Sequence, residues 1–196
     1  MRKLLFTIII IIFALSNYAS AQDNWKLSAG VKYPRFYSIN TDPSNTNYGA
    51  FLSFQNNINK SFVGRISLEY SHMENDWFSP VSFDQTTKVD LLQSNFDLLF
   101  YIIPGSSISP YAYAGLGFFY SILDNQATAA LDNNSFNIQI NSGLGIEWCI
   151  SQNIKILSEY GFYLTSDSKM DGANGAGEAG GNDSYFAFKL GLIFSL

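Results

Sequence analysis

From Trp25 to Leu196, apolar side chains recur at every second position in eight separate segments. A period of two restricts those segments to β-strands. Trp25, Leu27, Ala29, Val31 and Tyr33 alternate with Lys26, Ser28, Gly30 and Lys32. Ala50, Leu52 and Phe54 alternate with Phe51, Ser53 and Gln55. Phe62, Ile66, Leu68 and Tyr70 share one face, and Arg65, Ser67, Glu69 and Ser71 the other. The same pattern returns in the segments around Phe96, Leu116, Ile140, Tyr160 and Leu190. Each segment is roughly 9–14 residues long, and a tilted strand needs about 9–11 to cross a bilayer. An even number of strands can close on itself and leave no edge.

The connections support closure. Asn56–Lys60, Pro104–Ser107 and Ser151–Asn153 are short and rich in turn formers. Ser38–Asn47, Glu74–Lys88, Leu123–Asn134 and Ser166–Ser184 are long. Short turns at one end and long loops at the other are the arrangement of a transmembrane barrel. Pro34 is expected to break the first strand just after Tyr33.

Alternation alone would also suit a soluble cup, which buries its apolar face inside. Composition decides for the inverse arrangement. The chain has 17 Phe, 12 Tyr and 15 Gly but only 14% charged residues, against about 25% in soluble domains. The polar faces carry Gly, Ser, Asn and Gln rather than the Lys and Glu of a wetted surface. Trp25, Tyr33, Tyr70 and Trp148 fall near strand ends, where interfacial girdles form.

The N-terminus reads as an export signal. Arg2 and Lys3 precede an apolar run from Leu4 to Leu15, and Ala19-Ser20-Ala21 forms a cleavage site. The expected division is a signal peptide over 1–21 and one barrel domain over 22–196. Loss of Arg2 and Lys3 takes the net charge from −5 to −7, which disfavours nucleic acid as a partner. The single cysteine, Cys149, rules out an internal disulfide framework. It reads as an inert residue near a periplasmic turn.

The stretch Pro110-Tyr111-Ala112-Tyr113-Ala114-Gly115-Leu116-Gly117 resembles the OmpA-like small outer-membrane barrel family, also called porin-like. Gly143-Leu144-Gly145-Ile146-Glu147-Trp148, followed by a short turn and Glu159-Tyr160, resembles that family's sixth and seventh strands. Phe188 to Leu196 resembles the signal read by the barrel-assembly machinery, although it ends in Leu196 with Phe194 two residues earlier. The resemblance implies an eight-stranded antiparallel up-and-down barrel in the outer membrane of a Gram-negative envelope. It implies contact with outer-membrane lipid and assembly through the C-terminal strand. No appended peptidoglycan-binding domain is expected.

Six charges are expected inside the barrel: Arg65, Glu69, Asp97, Glu147, Glu159 and Lys189. An eight-stranded lumen is just wide enough for side chains, so these should pair as a polar plug. Tyr101, Tyr111, Tyr113 and Tyr163 should help to fill it. A gated ion or proton path is the alternative use of the same residues.

Other constellations are weaker. His72 follows Ser71, but neighbours on a strand point to opposite faces and cannot form a dyad. A histidine at the rim, in water, is the expectation. Gly175-Ala176-Gly177-Glu178-Ala179-Gly180 fits the dinucleotide pattern by spelling, with no helix after it to hold a pyrophosphate. Asp167, Asp171, Glu178 and Asp183 match no calcium-loop spacing. No cofactor, metal or catalytic residue is expected. The leading functional expectation is a non-enzymatic barrel that displays its loops outside, with Trp77, Phe78 and Phe83 as loop contacts. A narrow pore or hydrophobic-ligand conduit, a lipid A-modifying enzyme and a soluble lipocalin-like binder remain the other readings.

Overall fold

The computed structural model describes residues 25–36, 41–43, 47–77, 85–125, 135–166 and 184–196. The expected signal peptide, Phe78, Phe83 and the Gly-rich stretch from Gly175 to Gly180 lie outside them. The described strands are β1 (Trp25–Phe36), β2 (Thr41–Pro43), β3 (Tyr48–Asn57), β4 (Phe62–Trp77) and β5 (Gln85–Tyr101). They continue with β6 (Ile108–Asn125), β7 (Ser135–Cys149), β8 (Ile154–Thr165) and β9 (Ser184–Ser195).

Eight of these form one antiparallel wall in the order β4-β3-β1-β9-β8-β7-β6-β5, and β4 pairs with β5 to close it. The ninth, β2, lies on the outer end of β4, with Thr41 opposite Trp77. Closure satisfies every wall strand on both sides, which an isolated sheet cannot do in lipid.

The register fixes the shape. One row of paired residues runs Lys26, Gln55, Arg65, Asp97, Gly115, Asn141, Tyr163, Tyr185 and returns to β1 at Phe36. The circuit therefore closes ten residues along β1 from its start. For eight strands a stagger of that size means a tilt of about 40°.

The alternation sorts the side chains as the sequence suggests. Ile66, Leu68, Leu92, Phe96, Leu116, Ile140 and Leu190 face outward and are exposed. Arg65, Ser67, Glu69, Gln93, Asn95 and Lys189 face inward and are buried. Such a wall is stable only with hydrocarbon around it.

The three short turns close as expected. In the first, Asn59 Oδ1 accepts from the Ser61 and Phe62 amides at 2.9 Å each. In the second, Gly105 takes the left-handed conformation, φ 76°, which suits glycine at a tight reversal. In the third, Ser151 Oγ accepts from the Ile154 amide at 3.1 Å.

Two expectations need correction. Pro34 does not break β1, which continues to Phe36 with Pro34 opposite Ala187 on β9. Beyond Lys32, β1 has no partner on β3, and a strand bonded on one side tolerates a missing N–H. The second loop is also shorter than expected. β4 runs to Trp77 and β5 starts at Gln85, so the ladder consumes both ends of Glu74–Lys88.

Candidate functional site

The candidate site is the barrel interior, where strand alternation delivers one side chain per two residues, most of them polar at mid-height. The six charges singled out from the sequence are all buried there. At mid-height, Arg65 on β4 is 4% exposed and bridges two carboxylates. Its Nη2 lies 2.8 Å from Asp97 Oδ2 on the adjacent strand. Its Nη1 reaches Glu159 Oε2 across the lumen at 2.5 Å. Tyr111 donates to the same Glu159 oxygen at 2.9 Å, and Asn141 Nδ2 donates to Asp97 Oδ1 at 2.6 Å. The guanidinium also lies 4.8 Å from the Tyr113 ring centroid, a favourable cation–π arrangement.

Nearer the outer end, Glu69 takes two ammonium groups. Lys189 Nζ is 2.5 Å from Oε1 and Lys32 Nζ is 2.8 Å from Oε2. Lys189 also reaches Glu159 at 3.2 Å, which joins the two levels. Lys32 donates to Gln93 Oε1 at 2.7 Å, Gln93 to Gln139 Oε1 at 3.0 Å, and Gln139 to Asn95 Oδ1 at 2.6 Å. Tyr163 and Tyr185 stack with centroids 4.6 Å apart, and Lys32 Nζ sits 4.5 Å from the Tyr163 centroid. Toward the periplasmic end, Glu147 accepts from Tyr101 and pairs with Lys155 Nζ at 2.8 Å.

Lys32, Lys155, Gln93, Gln139, Asn95 and Asn141 belong to this network but were not singled out from the sequence. Their inward parity was the available signal. Glycines on the same rows make the network possible. A Cβ on Gly115 would collide with the Asp97 and Asn141 side chains, and one on Gly117 with Asn95. Gly143 and Gly145 leave space for the Tyr113 and Tyr111 rings.

Apolar layers bound the polar middle. Met73, Val89, Leu91, Phe119 and Ala187 cluster toward the outer end with Tyr163 and Tyr185. Phe51, Val63, Leu99, Leu157 and Ile193 cluster toward the periplasmic end with Tyr101, Tyr111 and Tyr113. Phe51 and the four tyrosines Tyr101, Tyr111, Tyr113 and Tyr163 were expected inward; Met73, Val89, Leu91, Phe119, Val63, Leu99, Leu157 and Ile193 were not foreseen. The two layers flank the Arg65–Glu69–Asp97–Glu159–Lys189 network, while the Glu147–Lys155 pair lies level with the lower cluster.

The remaining candidates separate. Ser71 points inward and is wholly buried, while His72 faces outward. His72 does not stand free in water, contrary to expectation. It is half-buried and stacks on Tyr48 at 4.9 Å, with Nδ1 2.8 Å from Asp90 Oδ1 and Nε2 3.4 Å from Glu74 Oε1. Tyr70 donates to the same Asp90 oxygen at 2.7 Å. Cys149 ends β7, and its thiol reaches the Ser151 carbonyl at 3.0 Å. The backbone of Trp77 pairs with Gln85 and Thr41. Among the described residues, no cluster of three or more His, Cys, Asp or Glu could hold a metal ion.

No family model matches the chain. No curated protein matches it either. Solved structures do. Ail, the attachment invasion locus protein of Yersinia pestis, aligns over 88% of this chain and 99% of its own at 14% identity, with a TM-score of 0.55. Neisserial surface protein A aligns over 88% and 97% at 14% identity, with a TM-score of 0.56. OprG, an outer membrane protein of Pseudomonas aeruginosa, aligns over 88% and 95% at 11% identity, with a TM-score of 0.53. A closed eight-stranded wall, an apolar exterior and alignment over 88% of the chain to these proteins lead to one conclusion: the chain has the fold of the OmpA-like small outer-membrane β-barrels.

Proposed function

We propose that this protein is an integral outer-membrane barrel whose work is done by its exterior loops and not by its lumen. The observation that carries this reading is the filled interior, with Arg65, Glu69, Asp97, Glu159 and Lys189 knitted together between two apolar layers. Paired charges in a closed, packed space conduct poorly, because an entering ion must break a pair and remain desolvated. The same packing disfavours the narrow-pore reading. The opposed faces of Ser71 and His72 disfavour a lipid A-modifying enzyme.

In this reading residues 1–21 direct export and are removed, and the strand β9 guides assembly by the barrel-assembly machinery. The four loops then stand outside on a stiff scaffold, where binding residues commonly sit. Trp77, Phe78 and Phe83 would supply aromatic contacts to an extracellular partner. Ail has been crystallised with the heparin analogue sucrose octasulfate. The net charge of −7 left after export directs this chain toward cationic or apolar partners instead.

The test is epitope insertion with staining of intact cells. Tags between Trp77 and Gln85 should be stained without permeabilisation. Tags at Gly105 should be stained only after it. The reverse pattern, or staining of neither on intact cells, would contradict the proposal.

A further inference from the structure

On the outward face a shallow groove of about 490 Å³ crosses five strands. One row of paired residues forms its course: Trp25 on β1, Asn56 on β3, Gly64 on β4, Leu98 on β5 and Ala114 on β6. The row above it, Phe54, Ile66, Phe96 and Leu116, forms a continuous apolar bank. The depression exists because Gly64 and Ala114 are short where their neighbours are large. A Cβ on Gly64 would meet only Ile58 Cδ1, at 3.7 Å, so the floor is open and not shaped by packing from within.

The groove has a direction. Its row belongs to the same stagger that carries Lys26 round to Phe36, so it climbs away from the periplasmic end as it passes from β1 to β6. Four steps of about 4.8 Å, inclined by a strand tilt of about 40°, raise it about 12 Å. Half of a bilayer's hydrocarbon core is about 15 Å. The low end is polar: there the indole N–H of Trp25 donates to the side-chain oxygen of Asn56 at 3.1 Å, and the turn just beyond Asn57, outside the groove's lining, carries the exposed amine of Lys60. Above that end the outward lining is wholly apolar. A polar, cationic foot at one membrane boundary and an apolar rise to the midplane match one kind of molecule in outline and depth.

We infer that this groove binds a phospholipid of the inner leaflet. One acyl chain lies over Gly64 and Ala114, and the phosphate meets Lys60 beside the hydrogen-bonded Trp25–Asn56 pair. The inference rests on the membrane-spanning reading of the wall. A second copy of the chain would leave the polar foot unexplained.

The test is native mass spectrometry of protein inserted into phosphatidylethanolamine–phosphatidylglycerol vesicles and extracted in mild detergent. The wild-type barrel should carry a bound phospholipid. Gly64→Phe should lower the lipid-bound fraction by about tenfold while the barrel still resists cold SDS. Ala114→Phe, on a different strand, should do the same and serves if Gly64→Phe does not insert. A wild-type barrel released bare, or filled variants that keep lipid at the wild-type level, would overturn the site. Failure of the wild type to enter vesicles would instead contradict the membrane reading itself.

Discussion

At the scale of single residues, the interior charges hold the barrel by being mutually indispensable. Glu159 balances Arg65 and part of Lys189. Glu159→Ala leaves a buried guanidinium with one carboxylate and should cost about 3–5 kcal/mol, read by reversible denaturant unfolding in lipid vesicles. The conservative Glu159→Gln keeps hydrogen-bonding capacity for Tyr111 and should cost less. Glycine positions divide just as sharply. Gly145→Ala drives a methyl into the Tyr111 ring and should cost about 1–3 kcal/mol. Gly64→Ala, on the outward face, should change stability little in the same assay. Equal effects at Gly145 and Gly64 would mean that the inward and outward faces are misassigned. The six charges were legible because each stands in a strictly alternating stretch, where parity alone sends it inward. Lys32 obeyed the same rule, yet an isolated lysine beside Tyr33 and Pro34 gave no sign of which carboxylate it would meet.

At the scale of elements, strands were legible where polar and apolar residues alternate and illegible where apolar residues run in pairs. Leu91-Leu92, Leu98-Leu99, Phe118-Phe119 and Ile156-Leu157 each put one side chain outward and one inward. Period-two reasoning records such a pair as outward and loses its partner, which is how Leu91, Leu99, Phe119 and Leu157 escaped notice as part of the lumen. Strand ends were obscured for a different reason. Glu74 and Lys88 look like loop residues, but they pair across β4 and β5 as a ladder, with Lys88 Nζ 3.0 Å from Glu74 Oε1. Polarity marked where the strands leave hydrocarbon, not where they stop. The outward face supplies its own prediction. Leu116 is 64% exposed, and in a water-soluble protein Leu116→Arg would be nearly harmless. In a bilayer it should cost about 2–4 kcal/mol, measured by unfolding from vesicles. A neutral or stabilising effect would argue for water around that face.

At the scale of the whole molecule, one topological fact connects sequence to function: β4 meets β5, and no wall strand is left as an edge. Closure lets backbone polarity disappear from the lipid-facing surface. The ten-residue stagger sets a lumen that side chains fill. A filled lumen is what the proposed role for the loops rests on. Closure also makes the fold slow to unravel, because no strand can peel away without breaking ladders on both sides. The most direct measurement is gel mobility of the membrane-extracted protein in SDS, with and without boiling. The account predicts a compact, fast-moving band in the unboiled sample and a slower band near 21.9 kDa after boiling, or near the lower mass left by removal of residues 1–21. Recovery in the soluble fraction with one unchanged mobility would contradict it.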